Sequence, residues 1–297
     1  MKHYSYYPGC SSAEGTAVAY GQSTEVISGA VGMKLIELED WNCCGSTPYY
    51  STNEVESLCL AARNLALAEK TGLDLTTPCS SCYTTLSRAD SQLKQYPALK
   101  AKVDECLASA GLEYKGTVKV RHLFEVIYND IGLDEIESKV VNPLSGLKVA
   151  PYYGCQLVRP ESNFDNQDNP QSLEHLITSL GADPVPFPLK VRCCGGSLVI
   201  SEMDLALGLI HKLLESAASN GAQCIVTVCP LCFTNLDAYQ DMARKRFKAS
   251  YKLPVLFFTQ LIGLALGVGP KALALDKNII SAEKVLAPFT MLAQKAA

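Results

Sequence analysis

The sequence predicts an α/β protein of two pseudo-symmetric repeated domains, each a small, mostly parallel sheet flanked by helices. Two observations carry this expectation: a duplicated cysteine pattern, and a strand–helix alternation that repeats with it. The composition agrees, since 297 residues that are 48% apolar and 19% charged suit a soluble globular chain of two ordinary domains. With 26 Lys+Arg against 30 Asp+Glu, the net charge of −4 advertises no basic face for nucleic acid. Met1–Cys10 is polar and aromatic and lacks the apolar core of a secretory signal, so a cytoplasmic location is expected. The longest apolar run, Val255–Val268, contains Thr259 and Gln260; it is too short to span a bilayer and reads as a core helix.

The first domain is expected over 1–142. A strand signal at His3–Tyr7 leads to Cys10, and a helix and a strand should follow before Cys43-Cys44. Ser51 with Glu54 then forms a capping box, and Val55, Leu58, Cys59, Ala62, Leu65 and Ala66 keep helical spacing to a stop near Gly72. The strand-like run Leu73–Thr77 ends at Cys79-Ser80-Ser81-Cys82, which opens a further helix. The second domain, 143–297, repeats this order. Leu147–Tyr153 leads to Cys155, and Cys193-Cys194 precedes a helix started by Ser201 with Asp204 and striped by Met203, Ala206, Leu207, Ile210, Leu213, Leu214 and Ala217. Cys224–Val228 then runs into Cys229-Pro230-Leu231-Cys232. His122-Leu123-Phe124-Glu125 and Phe257-Phe258-Thr259-Gln260 read as the same terminal helix in both halves, and Lys139–Leu147, with its Pro and Gly, as the linker. Glu161–Pro170 is a polar loop that accounts for extra length in the second half, and the tail after Gly269 has only a modest helical pattern.

Thirteen cysteines in a chain without a signal peptide argue for metal or redox chemistry rather than a disulfide framework. Ten of them form two sets of five. The first set is Cys10, a gap of 32, Cys43-Cys44, a gap of 34, Cys79 and Cys82; the second is Cys155, a gap of 37, Cys193-Cys194, a gap of 34, Cys229 and Cys232. A C-x-x-C suits tetrahedral metals and iron–sulfur clusters alike. Five thiols are one too many for a closed zinc site, and adjacent cysteines point apart, which fits different irons better than one ion. An iron–sulfur centre of unusual shape is therefore favoured, with structural zinc and a thioredoxin-like dithiol at Cys79–Cys82 as the other readings. Gly45, Gly195 and Gly196 beside the paired cysteines allow close backbone approach.

This paired signature resembles the cysteine-rich CCG domain, and the chain over nearly all of residues 1–270 resembles the B subunit of heterodisulfide reductase. Segments without cysteine share in the likeness, among them Ala61-Ala62-Arg63-Asn64-Leu65 and Glu113–Leu123. The resemblance implies two noncubane [4Fe-4S] clusters, one on Cys10, Cys43, Cys44, Cys79 and Cys82 and one on Cys155, Cys193, Cys194, Cys229 and Cys232. It further implies that the two clusters cleave or form a disulfide, or handle a sulfur carrier, between them by two one-electron steps. Catalytic residues beyond these ligands are not identified. The implied partners are a ferredoxin-like C subunit and a flavin-containing A subunit, which would supply the electrons, because this chain has no Rossmann, flavin or ferredoxin fingerprint. Gly45-Ser46-Thr47-Pro48 departs from the Pro-rich continuation of methanogen members, and similar chains occur in sulfur-oxidising and quinone-linked bacterial enzymes. An electron relay between flavin- and ferredoxin-type partners, with no substrate of its own, is the competing function.

Other residues are expected to be structural. Cys59 and Cys224 read as core thiols and Cys106, late in a helix, as structural, and His3, His122, His175 and His211 form no spaced motif. Tyr6, Tyr7, Tyr152 and Tyr153 should pack around the clusters, and Lys190 and Arg192 read as solvated loop charges with an anion-holding role as the alternative.

Overall fold

The computed structural model describes residues 1–46, 48–159 and 164–293. Two four-stranded sheets are formed, and every strand pair in both is parallel. The first contains β1 (Lys2–Tyr6), β2 (Met33–Glu37), β3 (Leu75–Thr77) and β4 (Val120–His122) in the order β2-β1-β3-β4. The second contains β5 (Lys148–Tyr152), β6 (Asp183–Pro184), β7 (Cys224–Thr227) and β8 (Val255–Phe257) in the order β6-β5-β7-β8. The same order in both halves is the architecture that the repeat predicts.

The fourth strand of the second sheet lies inside the apolar run read as a core helix. Val255–Phe257 is β-branched and aromatic and pairs with Ile225–Thr227, and only Phe258–Ala265 is helical. The terminal helices do correspond: His122 caps Leu123–Val126, and Phe257 occupies the same position before Phe258–Ala265. Both helix starts after the paired cysteines differ from expectation. Ser51 sits in a short helix, Pro48–Thr52, and the long helix Glu54–Glu69 is capped by Asn53, whose extended backbone lets its side chain accept from Glu56 N. Ser201 likewise ends the short Leu198–Ser201 helix, and Met203–Ser219 starts from Glu202 without a side-chain cap. Residues 160–163 of the expected polar loop, Thr47 and the last four residues lie outside the described residues.

In each sheet the chain goes from the second strand in the order (β1 or β5) to one edge, then returns to its other side. The crevice at the carboxyl ends of these neighbours is the topological switch point where open parallel sheets bind ligands. Cys10 and Cys79-x-x-Cys82 follow β1 and β3, and Cys155 and Cys229-x-x-Cys232 follow β5 and β7. Topology alone brings each single cysteine to its C-x-x-C.

The halves share one core. Tyr20 and Ile27 from the Val18–Ala30 helix belong to the apolar cluster that also holds Val149, Phe257 and Leu261. Tyr20 stacks on Phe257 with centroids 4.1 Å apart, and Ser23 Oγ meets Thr259 Oγ1 at 2.7 Å. A second cluster, from Tyr7 to Val118, lies wholly in the first half. Within 139–147, Val141 N and Asn142 N both donate to Ala265 O, so this segment is tied to the second half.

Candidate metal centre

Each C-x-x-C opens a helix. Cys79 is the N-cap of Ser80–Gln95, its sulfur accepting from Cys82 N at 3.5 Å, and Cys229 is the N-cap of Pro230–Ala238. Backbone N–H groups at the helix start, with Cys232 and Cys79, hold Cys229 well below the usual thiol range, whereas Cys79, the partner that gives up its proton last, is pushed up. The paired cysteines lie in loops held by buried tyrosines: Tyr7 OH donates to Asn42 O at 2.8 Å, and Tyr152 OH donates to Arg192 O at 2.7 Å. These are the same bond in the two halves, since Asn42 and Arg192 each precede the Cys pair.

The ten sulfurs form one continuous line. From the outside of the first half inward, each sulfur neighbours the next, from Cys10 through Cys43, Cys44 and Cys82 to Cys79. Cys79 is next to Cys229 of the other half, and the order repeats outward through Cys232, Cys194 and Cys193 to Cys155. Cys44 and Cys82 Sγ are 3.4 Å apart, and Cys194 and Cys232 Sγ are 3.6 Å apart. The middle of the line is buried, whereas Cys10, Cys43 and Cys193 are exposed and Cys155 is half-buried. Cys43 and Cys193 are held well below the usual thiol range, because Cys10 and Cys44, or Cys155 and Cys194, donate to them along with the following glycine N–H.

Two glycines missed by the sequence reading complete the cradle. Gly9 and Gly154 have φ of +72° and +67°, and a Cβ on them would stand 3.1 Å from Cys82 Sγ and 2.9 Å from Cys232 Sγ. Only glycine allows both that backbone and that approach. The signal was present, as glycine directly precedes the single cysteine in both halves. Gly195 N and Gly196 N donate to Cys193 and Cys194 Sγ at 3.3 and 3.4 Å.

This donor set fits iron–sulfur clusters: soft sulfurs, backbone N–H groups aimed at them, and loops shaped by glycine. Among the described residues no three His, Cys, Asp or Glu side chains surround a point suited to one metal ion. The sulfurs are strung along an arc instead.

A cavity of about 260 Å³ opens where the halves meet. It is lined by all five cysteines of the second set, by Tyr153, Gln156 and Leu198, and by Ser80 and Ser81 from the first half. Ser81 Oγ donates to Gln156 Oε1 at 2.6 Å across the join. His122, expected to be an ordinary core residue, lies behind this wall between the two C-x-x-C loops. Its Nδ1 accepts from Phe124 N at 3.1 Å, so the proton is on Nε2, which faces Ser80 Oγ at 3.3 Å and the carbonyls of Pro78 and Val228. Burial pushes its pKa down to about 4, so the ring is neutral.

Lys190 is not a solvated charge. It is buried, and its Nζ donates to Pro170 O at 2.5 Å and to Glu174 Oε1 at 2.6 Å, while Tyr153 OH holds the other carboxylate oxygen. Arg192 is exposed. His175 meets Tyr128 OH and His211 meets Tyr251 OH, both away from the sulfurs. Cys224 is fully buried in β7 as expected, and Cys106 is exposed near the end of the Pro97–Ser109 helix.

The doubled sheet and doubled sulfur arc define a protein with two cysteine-rich CCG domains, and residues 4–87 and 149–237 each match that family. The chain belongs to the family of CCG proteins that includes the B subunits of heterodisulfide reductases. It is 35% identical to the B subunit of the ferredoxin/F(420)H(2)-dependent CoB-CoM heterodisulfide reductase of Methanosarcina acetivorans, over 85% of each chain. It is 33% identical to a protein of Archaeoglobus profundus described as like the heterodisulfide reductase B subunit, over 82% of this chain and 84% of that one. It is also 39% identical to the 8-methylmenaquinol:fumarate reductase membrane anchor subunit of Wolinella succinogenes, over 96% of this chain and 99% of that one. Among the described residues no helix is long and apolar enough to cross a membrane. A hypothetical protein from Helicobacter pylori shares the fold at a TM-score of 0.75 and 17% identity; the match covers 94% of this chain and 52% of that one.

Proposed function

We propose that this chain is the iron–sulfur redox subunit of a heterodisulfide reductase-type complex, cleaving or forming a disulfide between two noncubane [4Fe-4S] clusters. Cys10, Cys43, Cys44, Cys79 and Cys82 would hold one cluster, and Cys155, Cys193, Cys194, Cys229 and Cys232 the other. The observation that carries this reading is the meeting of the two sulfur arcs at Cys79 and Cys229 beside a cavity that both halves line. When bound, the clusters supply one-electron steps, and two of them match the two electrons of a disulfide.

The chain's own residues do the rest. Gly9 and Gly154 let the backbone close on the inner sulfurs, and Tyr7 and Tyr152 fix the pair loops. Neutral His122 holds Ser80 Oγ, which stands in the cavity wall. Ser81 and Gln156 close the wall against water. The units 1–142 and 143–297 each carry one site, and thirteen free thiols suit the reducing cytoplasm. Ferredoxin-like and flavin-containing proteins are the proposed electron partners; ferredoxin stands in the name of the Methanosarcina relative.

The Wolinella relative, whose name mentions no disulfide, favours a second reading, an electron relay without a substrate. One experiment separates the two. Anaerobically purified protein should carry about eight irons per chain, and its reduced form should convert a small organic disulfide to thiols. Full iron with no disulfide reaction leaves the relay; a colourless, iron-free chain that still reacts removes both.

A further inference from the structure

Two cysteines outside both arcs lie side by side in the first half. Cys59 is on the Glu54–Glu69 helix and Cys106 on Pro97–Ser109, and these helices pack against each other. Cys59 belongs to the same apolar cluster as Val103 and Leu107, which flank Cys106 in sequence. Across the helix seam the two thiols stand close enough for Cys106 to perturb Cys59. Cys106 is exposed, and Cys59 stands just beneath the surface at 9% exposure.

We propose that Cys59 and Cys106 are a disulfide-forming pair, a modification site of the first half that low-molecular-weight disulfides oxidise. The step is a thiol–disulfide exchange. The Cys106 sulfur attacks the external disulfide and releases one small thiol; Cys59 then attacks Cys106 and releases the second. Two S–H bonds and one external S–S bond are exchanged for one protein S–S bond and two small thiols. The electron pair and both protons leave with those thiols. Burial and the neighbouring Cys106 push the Cys59 thiol up to about 12, which agrees with Cys106 being the sulfur that reacts first.

The helix that carries Cys59 also carries the supports of the first pair loop. Asn64 Oδ1 accepts from Asn42 N at 3.0 Å, Asn64 Nδ2 donates to Asn42 O at 2.9 Å, and Ser57 Oγ donates to Gly45 O at 3.4 Å. The bond would therefore tie Pro97–Ser109 to the buttress of one sulfur arc and leave the other untouched. The second half has no such pair: sixteen residues after its first paired cysteine stands Leu209, and its one extra cysteine, Cys224, is fully buried in β7.

Full-length, anaerobically purified protein is treated with oxidised glutathione, quenched in acid, alkylated and mapped by peptide mass spectrometry. The expected result is a cross-link between the Cys59 and Cys106 peptides, lacking two hydrogens, at an exposure that leaves the other cysteines unmodified. In Cys59→Ser, Cys106 should instead accumulate as its glutathione adduct. In Cys106→Ala, which changes an exposed position, Cys59 should stay free. Wild-type protein that keeps both thiols alkylatable, or that retains the Cys106 adduct beside a free Cys59, overturns the proposal. The readout is a peptide mass and does not depend on disulfide turnover.

Discussion

The two halves place five sulfurs at the same strand ends and then support them from different sides. In the first half the pair loop is braced from behind, by Asn64 and Ser57 of the helix that follows it. In the second it is held by the C-x-x-C helix, where Asn235 Nδ2 donates to Cys194 O at 3.1 Å and Gly196 O at 2.9 Å and reaches Cys194 Sγ at 3.6 Å. The last residue of the fourth strand is His122 in one sheet and Phe257 in the other, and the residue before the strand-end glycine is Pro8 or Tyr153. The shared part is what holds sulfur; the divergent part decides what each arc faces. The second arc faces a cavity whose far wall, Ser80 and Ser81, belongs to the first.

The strongest way to break this equivalence is to remove one sulfur from each side in turn. Cys43→Ser and Cys193→Ser should each lose about four irons per chain and lower disulfide turnover by roughly 100-fold or more. Iron analysis and a thiol-release assay check this, and unequal iron loss would show that the arcs are not two copies of one site. Gly154→Ala and Gly9→Ala come next. Each adds strain of about 1–3 kcal/mol at a positive φ and presses a methyl on Cys232 or Cys82. The shorter approach, 2.9 Å against 3.1 Å, makes Gly154→Ala the more damaging. Iron retained per chain and the thermal unfolding midpoint read the difference.

Asn235→Ala should cost about 1–3 kcal/mol by leaving buried acceptors unmet. Denaturant unfolding gives the loss, and the ligation of the first arc should keep its spectroscopic signature. The smallest effect at neutral pH belongs to His122→Phe, which copies the second half into the first. His122 has a folded pKa near 4, below its ordinary 6.5, so between these values the unfolded chain binds a proton that the folded chain refuses. Stability therefore falls as pH drops from 6.5 toward 4 and levels off below that. Unfolding midpoints across this window should flatten in the variant, and an unchanged slope would mean that another group titrates.

Much of this was legible in the sequence because repetition is a one-dimensional signal. Ten cysteines at near-equal spacing, each group at the end of a strand-like run, disclose both the duplication and the parallel α/β order. The helix starts were misread because Ser51 and Ser201 carry the right side chains for a cap but lie inside short helices of their own; the conformation of Asn53 decides the matter. Val255–Phe257 was hidden in an apolar run, since a fully buried strand and a buried helix have the same composition. His122, Lys190 and the Cys59–Cys106 pair were beyond reach for a different reason. Their partners are side chains and carbonyls on separate elements, brought close only by how helices and loops pack, and no spacing along the chain records that.

The stacking of Tyr20 on Phe257 and the seam between the Val18–Ala30 and Phe258–Ala265 helices have a consequence for what a severed molecule would do. A cut after Asn142 would not set free two independent modules, since the amino-terminal fragment would expose the buried Tyr20 and Ile27 to solvent and the carboxy-terminal one its Phe257. The fragments would re-associate as a heterodimer does, drawn together by that seam and by the bonds from Val141 and Asn142 to Ala265 O.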